Sequence, residues 1–243
     1  MEIRVPVFAG RRILKKESLW DIRDYTYAGW QLYYADHTDG LLKGCEIRAE
    51  DGRLVIGKGM MEPIFMGQLP ELMKNYKDGE TEILTGLEEK LQVVFQKAQQ
   101  MQKADRKGKI CTMGISYLQS SVLTENYELR IDLYDKEFYL DSAECCTYWK
   151  PEFVTGYLLQ DVEYLKKEIR FKIPQIKTYE LQQFIDGYLL NYMYLLAQFF
   201  QQILPQVLDK TKTLFQEVAE ENMSVTFGEY MGKGIVVVGE REE

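Results

Sequence analysis

The sequence contains one histidine, His37, and four cysteines among its 243 residues. A single histidine excludes metal sites built from several histidines, and it disfavours a catalytic triad of the Ser-His-Asp type. The cysteines form no pair of C-x-x-C knuckles, so the sequence gives no sign of a structural zinc site. The adjacent cysteines could close a disulfide, but we interpret them as reduced thiols of a cytosolic protein. The four are Cys45, Cys111, Cys145 and Cys146.

An excess of positive charge is also missing, because 30 Lys and Arg stand against 38 Asp and Glu and the net charge is -8. A protein that binds the phosphate backbone normally shows a basic surface, so the composition disfavours a nucleic-acid partner. The first residues lack the apolar stretch of a signal peptide, which predicts a cytoplasmic location.

One uncharged run, residues 187–204, reaches the length of about 18 residues that a membrane-spanning helix needs at minimum. It contains four amide side chains, which are costly in lipid, and Pro205 follows it directly. We therefore interpret the run as a helix buried in protein, and we expect no membrane partner.

Apolar residues make up 46% of the chain and charged residues 28%, as in ordinary folded domains. The length suits one large domain or two small ones. We predict an α+β fold in two domains, with a small β-rich module over residues 1–80 and an α+β domain over residues 81–243. The second domain is expected to hold an antiparallel sheet, a C-terminal layer of about three helices and a terminal β-hairpin.

The first module is predicted to contain a β-hairpin. Apolar residues alternate over residues 41–47, an Asp-Gly turn follows at 51–52, and a second apolar strand occupies 54–56. A further short strand at 64–66 would extend this meander. Residues 69–82 are rich in turn formers and are expected to be a polar connection.

The strongest local pattern predicts a helix over residues 85–107. Thr85 and Glu88 match a capping box at its start, and Gly108 suits the left-handed position after its end. Between them, apolar residues recur at helical spacing and predict a buried face. That face comprises Leu87, Leu91, Val94, Phe95, Ala98 and Met101.

Strands are predicted next, over residues 110–140. The segments 111–117 and 127–133 both alternate between apolar and polar residues, which is typical of an antiparallel pair with helices on one side only.

Three helices are predicted over residues 151–220, separated by breaks at Pro174 and Pro205, with Thr178 as the cap of the second. Two apolar strands around a glycine-rich turn then predict a terminal hairpin over residues 224–239.

Three groups of residues could carry chemistry, and each has a simpler interpretation. His37 lies between Asp36 and Asp39, which suits acid–base catalysis but also an ordinary turn, and we favour the turn. Seven acids between residues 125 and 144 could hold Mg²⁺ or Ca²⁺, but they lack the EF-hand spacing and we favour a solvated strand face. The aromatic helix 179–204 could line a ligand pocket, although a plain core is more common. We therefore expect no catalytic, cofactor or metal site.

Residues 19–66 contain a short glycine-centred motif. Its segments are Leu19, Ile22-Arg23-Asp24, Tyr33-Tyr34-Ala35-Asp36 and Thr38-Asp39-Gly40-Leu41-Leu42 with Gly44. These segments resemble an N-terminal module of phage-tail and phage-tail-like contractile injection particles, in which a D-G-[IVL]-[IVL]-x-G step precedes a short β-meander. The resemblance implies a structural or accessory component of a tail or baseplate that works by protein contacts and without catalysis.

The function we favour is that of a non-enzymatic structural or assembly protein, as a component of a phage-tail-like particle. The alternative is a small-ligand binding or sensing domain that uses the aromatic helical core. We expect other proteins as partners, as a homo-oligomer or as particle components, and no cofactor. Six aromatics of the first module form the candidate interface, because large rings with few rotatable bonds make binding hot spots, although they could instead close the core of the module. They are Trp20, Tyr25, Tyr27, Trp30, Tyr33 and Tyr34.

Overall fold

The computed structural model describes residues 45–50, 53–59 and 61–239, with side chains from Ile64 onward. The fold is α+β, as predicted. The elements in chain order are β1 (Cys45–Glu50), β2 (Arg53–Gly59), α1 (Met61–Lys103), β3 (Ile110–Tyr117), α2 (Gln119–Leu123), β4 (Leu129–Tyr134), a 3-10 turn (Phe138–Leu140), β5 (Cys146–Trp149), α3 (Glu152–Lys172), α4 (Thr178–Lys210), α5 (Lys212–Val218), β6 (Ala219–Glu229) and β7 (Gly234–Val238).

The described residues divide into two compact units. Unit 1 holds the described residues up to Asn75 together with Gly156–Leu195, and unit 2 holds Tyr76–Thr155 and the residues from Leu196 onward. All three boundaries fall inside helices, so α1, α3 and α4 each contribute one part to each unit.

Unit 1 contains the predicted hairpin. Strands β1 and β2 pair antiparallel, with Ile47 opposite Ile56 and Arg48 opposite Val55. The helical part of the unit has an apolar core in which the rings of Phe65 and Tyr192 meet edge to face, with centroids 5.1 Å apart.

The first half of α1 was not expected to be helical. The strand predicted at residues 64–66 and the polar connection predicted at 69–82 are wrong, because α1 runs through both. Burial of an apolar stripe at helical spacing outweighs the local turn preference of residues such as the exposed Pro70. The buried residues of that stripe are Phe65, Leu69 and Leu72.

The second half of α1 matches the face predicted for residues 85–107, whose apolar residues are all buried. The predicted ends are wrong. Thr85 lies in the middle of the helix, where its hydroxyl donates to the Thr81 carbonyl oxygen at 2.8 Å. After α1 ends, Asp105 and not Gly108 takes the left-handed backbone, with φ of 52°.

Unit 2 is built on a five-stranded sheet with the order β5-β4-β3-β6-β7. The predicted antiparallel pair is confirmed, with Ile115 of β3 opposite Ile131 of β4. The terminal hairpin is also confirmed, with Phe227 of β6 opposite Ile235 of β7. The sheet as a whole is mixed and not antiparallel, because β6 returns after the helices and pairs parallel to β3.

The breaks predicted around α4 are partly right. Helix α3 ends before Pro174, as expected, and α4 begins at Thr178. The N–H of Lys177 donates to Glu180 Oε2 at 2.8 Å, which places the cap one residue earlier than predicted. Pro205 does not end α4, because buried apolar residues on both sides of it keep the helix packed to Lys210.

Residues 187–204 form the middle of α4, and most of their apolar side chains are buried. No helix in the described part of the chain combines the length and the apolar character that crossing a membrane requires.

Candidate functional site

The sheet of unit 2 has two chemically different faces, because side chains alternate along each strand. One face is apolar, with Ile115, Ile131 and Phe227 buried, and the Phe227 ring lies 5.3 Å from the ring of Phe200 on α4. The opposite face, which we term the open face, is polar and aromatic. Its residues are Thr112, Gly114, Ser116, Arg130, Asp132, Tyr134, Cys146, Tyr148, Ser224 and Thr226.

A largely buried arginine, Arg130, organises the open face. Its Nε and one terminal nitrogen donate to the two carboxylate oxygens of Asp132, both at 2.7 Å, and the same terminal nitrogen donates to Glu144 at 2.7 Å. The hydrogen bond to Asp132 raises the pKa of Arg130 above its ordinary value. Hydrogen bonds from Cys146 and Arg130 lower the pKa of Glu144. The arrangement is a bidentate ion pair between Arg130 and Asp132, which a further hydrogen bond extends to Glu144.

Two tyrosine rings flank the same guanidinium. Arg130 lies 4.9 Å from the ring centroid of Tyr230, at the end of β6, and 6.0 Å from that of Tyr148. A guanidinium at these distances is attracted to the ring faces, and the rings in turn are held in place by the ion pair.

A third tyrosine, Tyr134, lies close to the backbone of β3 at Gly114. A Cβ atom on Gly114 would sit only 3.1 Å from the Tyr134 ring, so glycine is what allows this close approach. Burial raises the pKa of Tyr134 well above its ordinary value. Its ring also contacts Phe138 and Tyr139, with centroids 5.1 and 5.3 Å away.

An apolar patch is exposed beside these rings, and we term it the exposed patch. Leu140 is 85% exposed and Met231 is 62% exposed, which are unusual values for large apolar side chains within one small area. Tyr139 interacts with the backbone of Met231, which ties the 3-10 turn to the turn between β6 and β7. The exposed patch comprises Phe138, Tyr139, Leu140, Tyr148 and Met231. Because its rings contact Tyr134, we count the exposed patch as part of the open face.

Two residues of the exposed patch have a strained backbone. Phe138 has φ of 51° and Met231 has φ of 56°, in the left-handed region that large side chains rarely adopt. Such outliers persist where the surrounding structure enforces them, and they cluster at functional sites. Both residues carry apolar side chains that are exposed at the surface.

The rim of the exposed patch is acidic. Four carboxylates lie in the turns and strand ends around it, together with the two lysines Lys136 and Lys233. The Glu229 carboxylate is positioned by Gln119, whose Nε2 donates to it at 2.8 Å. The carboxylates are Asp135, Glu137, Glu144 and Glu229.

Unit 1 contains a separate polar cluster around the buried carboxylate of Asp161, which is 2% exposed. The hydroxyls of Tyr188 and Tyr192 both donate to its Oδ2 at 2.5 Å, and Gln68 Nε2 donates to its Oδ1 at 3.3 Å. Burial raises the pKa of both tyrosines. Two aromatics of the helix 179–204, for which a ligand pocket was the alternative to a plain core, therefore serve as hydrogen-bond donors to a buried acid.

The unit 2 part of α4 holds two unsatisfied amides. Among the described residues, Gln198 Oε1 and Gln202 Nε2 are buried without a hydrogen-bond partner. They lie one helical turn apart, so they present an acceptor and a donor on the same side of α4. A small polar ligand could pair with both.

The adjacent cysteines lie on opposite faces of the sheet. Cys145 is buried with its Sγ 3.6 Å from the Val94 carbonyl oxygen, whereas Cys146 lies on the open face beside Glu144. Both are free thiols, as is Cys111. Burial raises the pKa of Cys145 to about 11, so this thiol stays protonated and unreactive at neutral pH.

The structure describes only some of the candidate sites that the sequence suggested. The interface aromatics Trp20, Tyr25, Tyr27, Trp30, Tyr33 and Tyr34 lie outside the described residues, as does the turn around His37. The acids of 125–144 are not simply a solvated face, because Asp132 is paired with Arg130 and Asp141 with Lys107, both largely buried. Over residues 64–239, no group of three or more His, Cys, Asp or Glu is placed to hold a metal ion.

The open face was missed at the sequence level, although a signal existed. Arg130 and Asp132 are two residues apart on a predicted strand, which puts opposite charges on the same face of a sheet. Tyr230 could not be associated with them, because its neighbourhood depends on the parallel pairing of β6 with β3.

No protein-family model matches this chain, and neither the curated proteins nor the solved structures give a match.

Proposed function

We propose that this chain is a non-enzymatic assembly protein that associates with copies of itself in a larger structural particle. The contact surface is the exposed patch on the open face of unit 2. A single observation carries the proposal: the exposed patch places Leu140, Met231 and three aromatic rings at the surface, anchored on the buried Arg130 ion pair.

The chemistry of this surface is that of a protein contact. Binding hot spots are enriched in tyrosine and arginine, and they work best when the side chains are held rigid before binding. Arg130, Tyr148 and Tyr230 form such a preorganised group. The left-handed backbone at Phe138 and Met231 maintains the exposure of apolar side chains.

The type of particle rests on the resemblance of residues 19–66 to modules of phage-tail-like particles. Within this proposal, the six N-terminal aromatics form a second contact surface for other particle components. Self-association suits such a role, since particles of that kind are built from symmetric rings or stacks of identical subunits.

The test is sedimentation velocity over a series of protein concentrations. We expect the sedimentation coefficient of the wild type to rise with concentration, and Leu140→Ser to weaken the association at least about tenfold by removing a surface anchor. Val93→Ser is the matched control, because Val93 is an aliphatic residue on α1 that is also exposed and lies outside the exposed patch. A wild type that stays monomeric at every concentration, or a Leu140→Ser variant that associates normally, would contradict the proposal.

The second candidate is binding of a small polar ligand, and the unsatisfied amides Gln198 and Gln202 favour it. A ligand that pairs with them should remain bound during gentle purification. Native mass spectrometry would then show a mass above that of the polypeptide, and the double variant Gln198→Met/Gln202→Met would lose the excess. A wild type with the bare polypeptide mass argues against this function.

A further inference from the structure

The connection between α3 and α4 carries a second exposed apolar surface, in unit 1. Phe171 at the end of α3 is 82% exposed, which is as unusual as the exposure of Leu140. Three more large apolar side chains in the same stretch are also exposed. Residues 164–179, which we term the hairpin tip, contain all four: Tyr164, Phe171, Ile173 and Tyr179.

The backbone of the hairpin tip is well defined by hydrogen bonds. The N–H of Ile173 donates to the Ile169 carbonyl at 2.8 Å, and the N–H of Ile176 donates to the Ile173 carbonyl at 3.0 Å. Lys177 lies 5.7 Å from the ring centroid of Tyr179. The exposed side chains are therefore presented from a fixed turn, which lowers the entropy lost when they bind a partner.

The charge of the hairpin tip is opposite to that of the chain. The chain carries a net charge of -8, whereas residues 164–179 contain Glu168 as their single acid. The basic residues of the tip are Lys166, Lys167, Arg170, Lys172 and Lys177.

The hairpin tip and the exposed patch match each other in apolar character and are opposite in charge. Each presents exposed aromatic and aliphatic side chains, and the cations of the tip match the acidic rim around the patch. Complementary charges steer encounter and fix the register of a contact, while the apolar side chains supply the buried area.

We propose that the hairpin tip of one copy of this chain binds the open face of another copy. This inference rests on the proposed function and specifies the second half of its contact. Two different surfaces then meet, so the contact is heterologous and each copy uses both surfaces. Such a contact generates a closed ring or an open stack, depending on the rotation between neighbours.

The test uses two variants with complementary defects. The tip variant Lys167→Glu/Arg170→Glu keeps an intact open face, and the face variant Glu137→Lys/Leu140→Ser keeps an intact hairpin tip. We expect each to sediment as a monomer by itself. In an equimolar mixture, the tip of the face variant should bind the face of the tip variant, and growth should stop at a one-to-one dimer.

The matched control is Lys74→Glu/Lys90→Glu, which reverses two exposed lysines of α1 outside both surfaces. This control should associate like the wild type. Thermal melting of every variant within a few degrees of the wild type shows that association, and not folding, has changed. Association of the wild type should also weaken when salt rises from about 0.05 to about 0.5 M, because exposed charges are screened.

The outcomes separate the two proposals. A tip variant that associates like the wild type, or a mixture that stays monomeric, overturns the head-to-tail contact while leaving the open face as a contact surface. A face variant that associates normally overturns the proposed function itself. A monomeric wild type that cosediments with phosphatidylserine vesicles through Lys167 and Arg170 would instead assign the tip to a lipid surface and overturn this inference.

Discussion

Lys107 and Asp141 form an ion pair in unit 2 whose side chains are only 1% and 6% exposed. Lys107 also donates to the Ala143 carbonyl oxygen at 2.9 Å, so its ammonium group has two hydrogen-bond acceptors, this carbonyl and the Asp141 carboxylate. Removing one partner from a buried pair leaves an uncompensated charge, whereas replacing both by apolar groups avoids that cost.

Asp141→Asn should therefore lower the free energy of unfolding by about 3 to 5 kcal/mol. The double variant Lys107→Met/Asp141→Leu should recover most of that loss, and chemical denaturation of both variants measures the difference. Equal destabilisation by the single and the double variant would show that the pair is not a unit.

The same pair predicts a dependence on pH. Burial raises the pKa of Asp141, but hydrogen bonds from Lys107 and Ala143 outweigh this and lower it below its ordinary value. A lowered folded-state pKa gives stability that is complete above the ordinary aspartate value of about 3.9 and is lost as the pH falls through the folded value. We expect the stability gap between wild type and Asp141→Asn to narrow on acidification below about pH 4. A gap that is constant from pH 7 to pH 3 would contradict the assignment.

The Asp161 cluster gives a second prediction for single side chains. Tyr188→Phe removes one of the donors to a buried carboxylate and should cost about 1 to 3 kcal/mol of unfolding free energy. Tyr179→Phe is the control, because Tyr179 is exposed and its change should stay within about 0.5 kcal/mol. Urea unfolding of both variants is the measurement, and equal effects would exclude the donor role of Tyr188.

Neither buried acid could have been assigned from the sequence. Asp161 lies on α3, a helix that the sequence predicted, but the donors to its carboxylate come from α1 and α4, far away along the chain. Lys107 and Asp141 lie in different segments of the chain, and no local pattern in the sequence links them. Pairs of this kind depend on tertiary structure.

Helix α1 was predicted only in part from the local spacing of its apolar residues. Its second half was predicted because six apolar residues keep a helical spacing there. Its first half was assigned to a strand and a connection because prolines and an Asp-Gly pair interrupt the pattern. The mixed sheet is a similar case, since the alternation within β3 and β6 predicts strands but carries no information on whether they pair parallel.

One substitution distinguishes the observed α1 from a helix that begins at Thr85. An N-cap threonine contributes about 1 kcal/mol, so Thr85→Ala would destabilise the shorter helix. In the observed helix Thr85 is an exposed interior position, and Thr85→Ala should be neutral or slightly stabilising in thermal melting. A loss near the N-cap value would contradict the continuous helix.

The buried face of α1 is tested by a charge. Leu91→Asp should destabilise by several kcal/mol, on the order of the cost of burying an unpaired charge, because Leu91 is fully buried. Val93→Asp, two residues away on the exposed side, should melt like the wild type. Equal melting temperatures for the two variants would mean that the face is assigned wrongly.

Taken together, the two units present two exposed apolar surfaces of opposite charge on one chain. The sequence predicted an assembly protein from the resemblance of residues 19–66, with the N-terminal aromatics as its candidate interface. The described residues contribute the exposed patch of the open face and the hairpin tip. Both surfaces lie at turns where backbone hydrogen bonds or left-handed residues fix the side chains. Such surfaces could not be predicted from the spacing of apolar residues, because turns have no regular spacing of this kind.

Hydrogen exchange measured at low and high protein concentration tests the role of the open face most directly. If copies of the chain associate through it, the amides of residues 135–141 and 229–233 should exchange more slowly in the concentrated sample. The Leu140→Ser variant should lose this difference while remaining folded. Exchange at these two turns that is independent of concentration in the wild type would contradict the account.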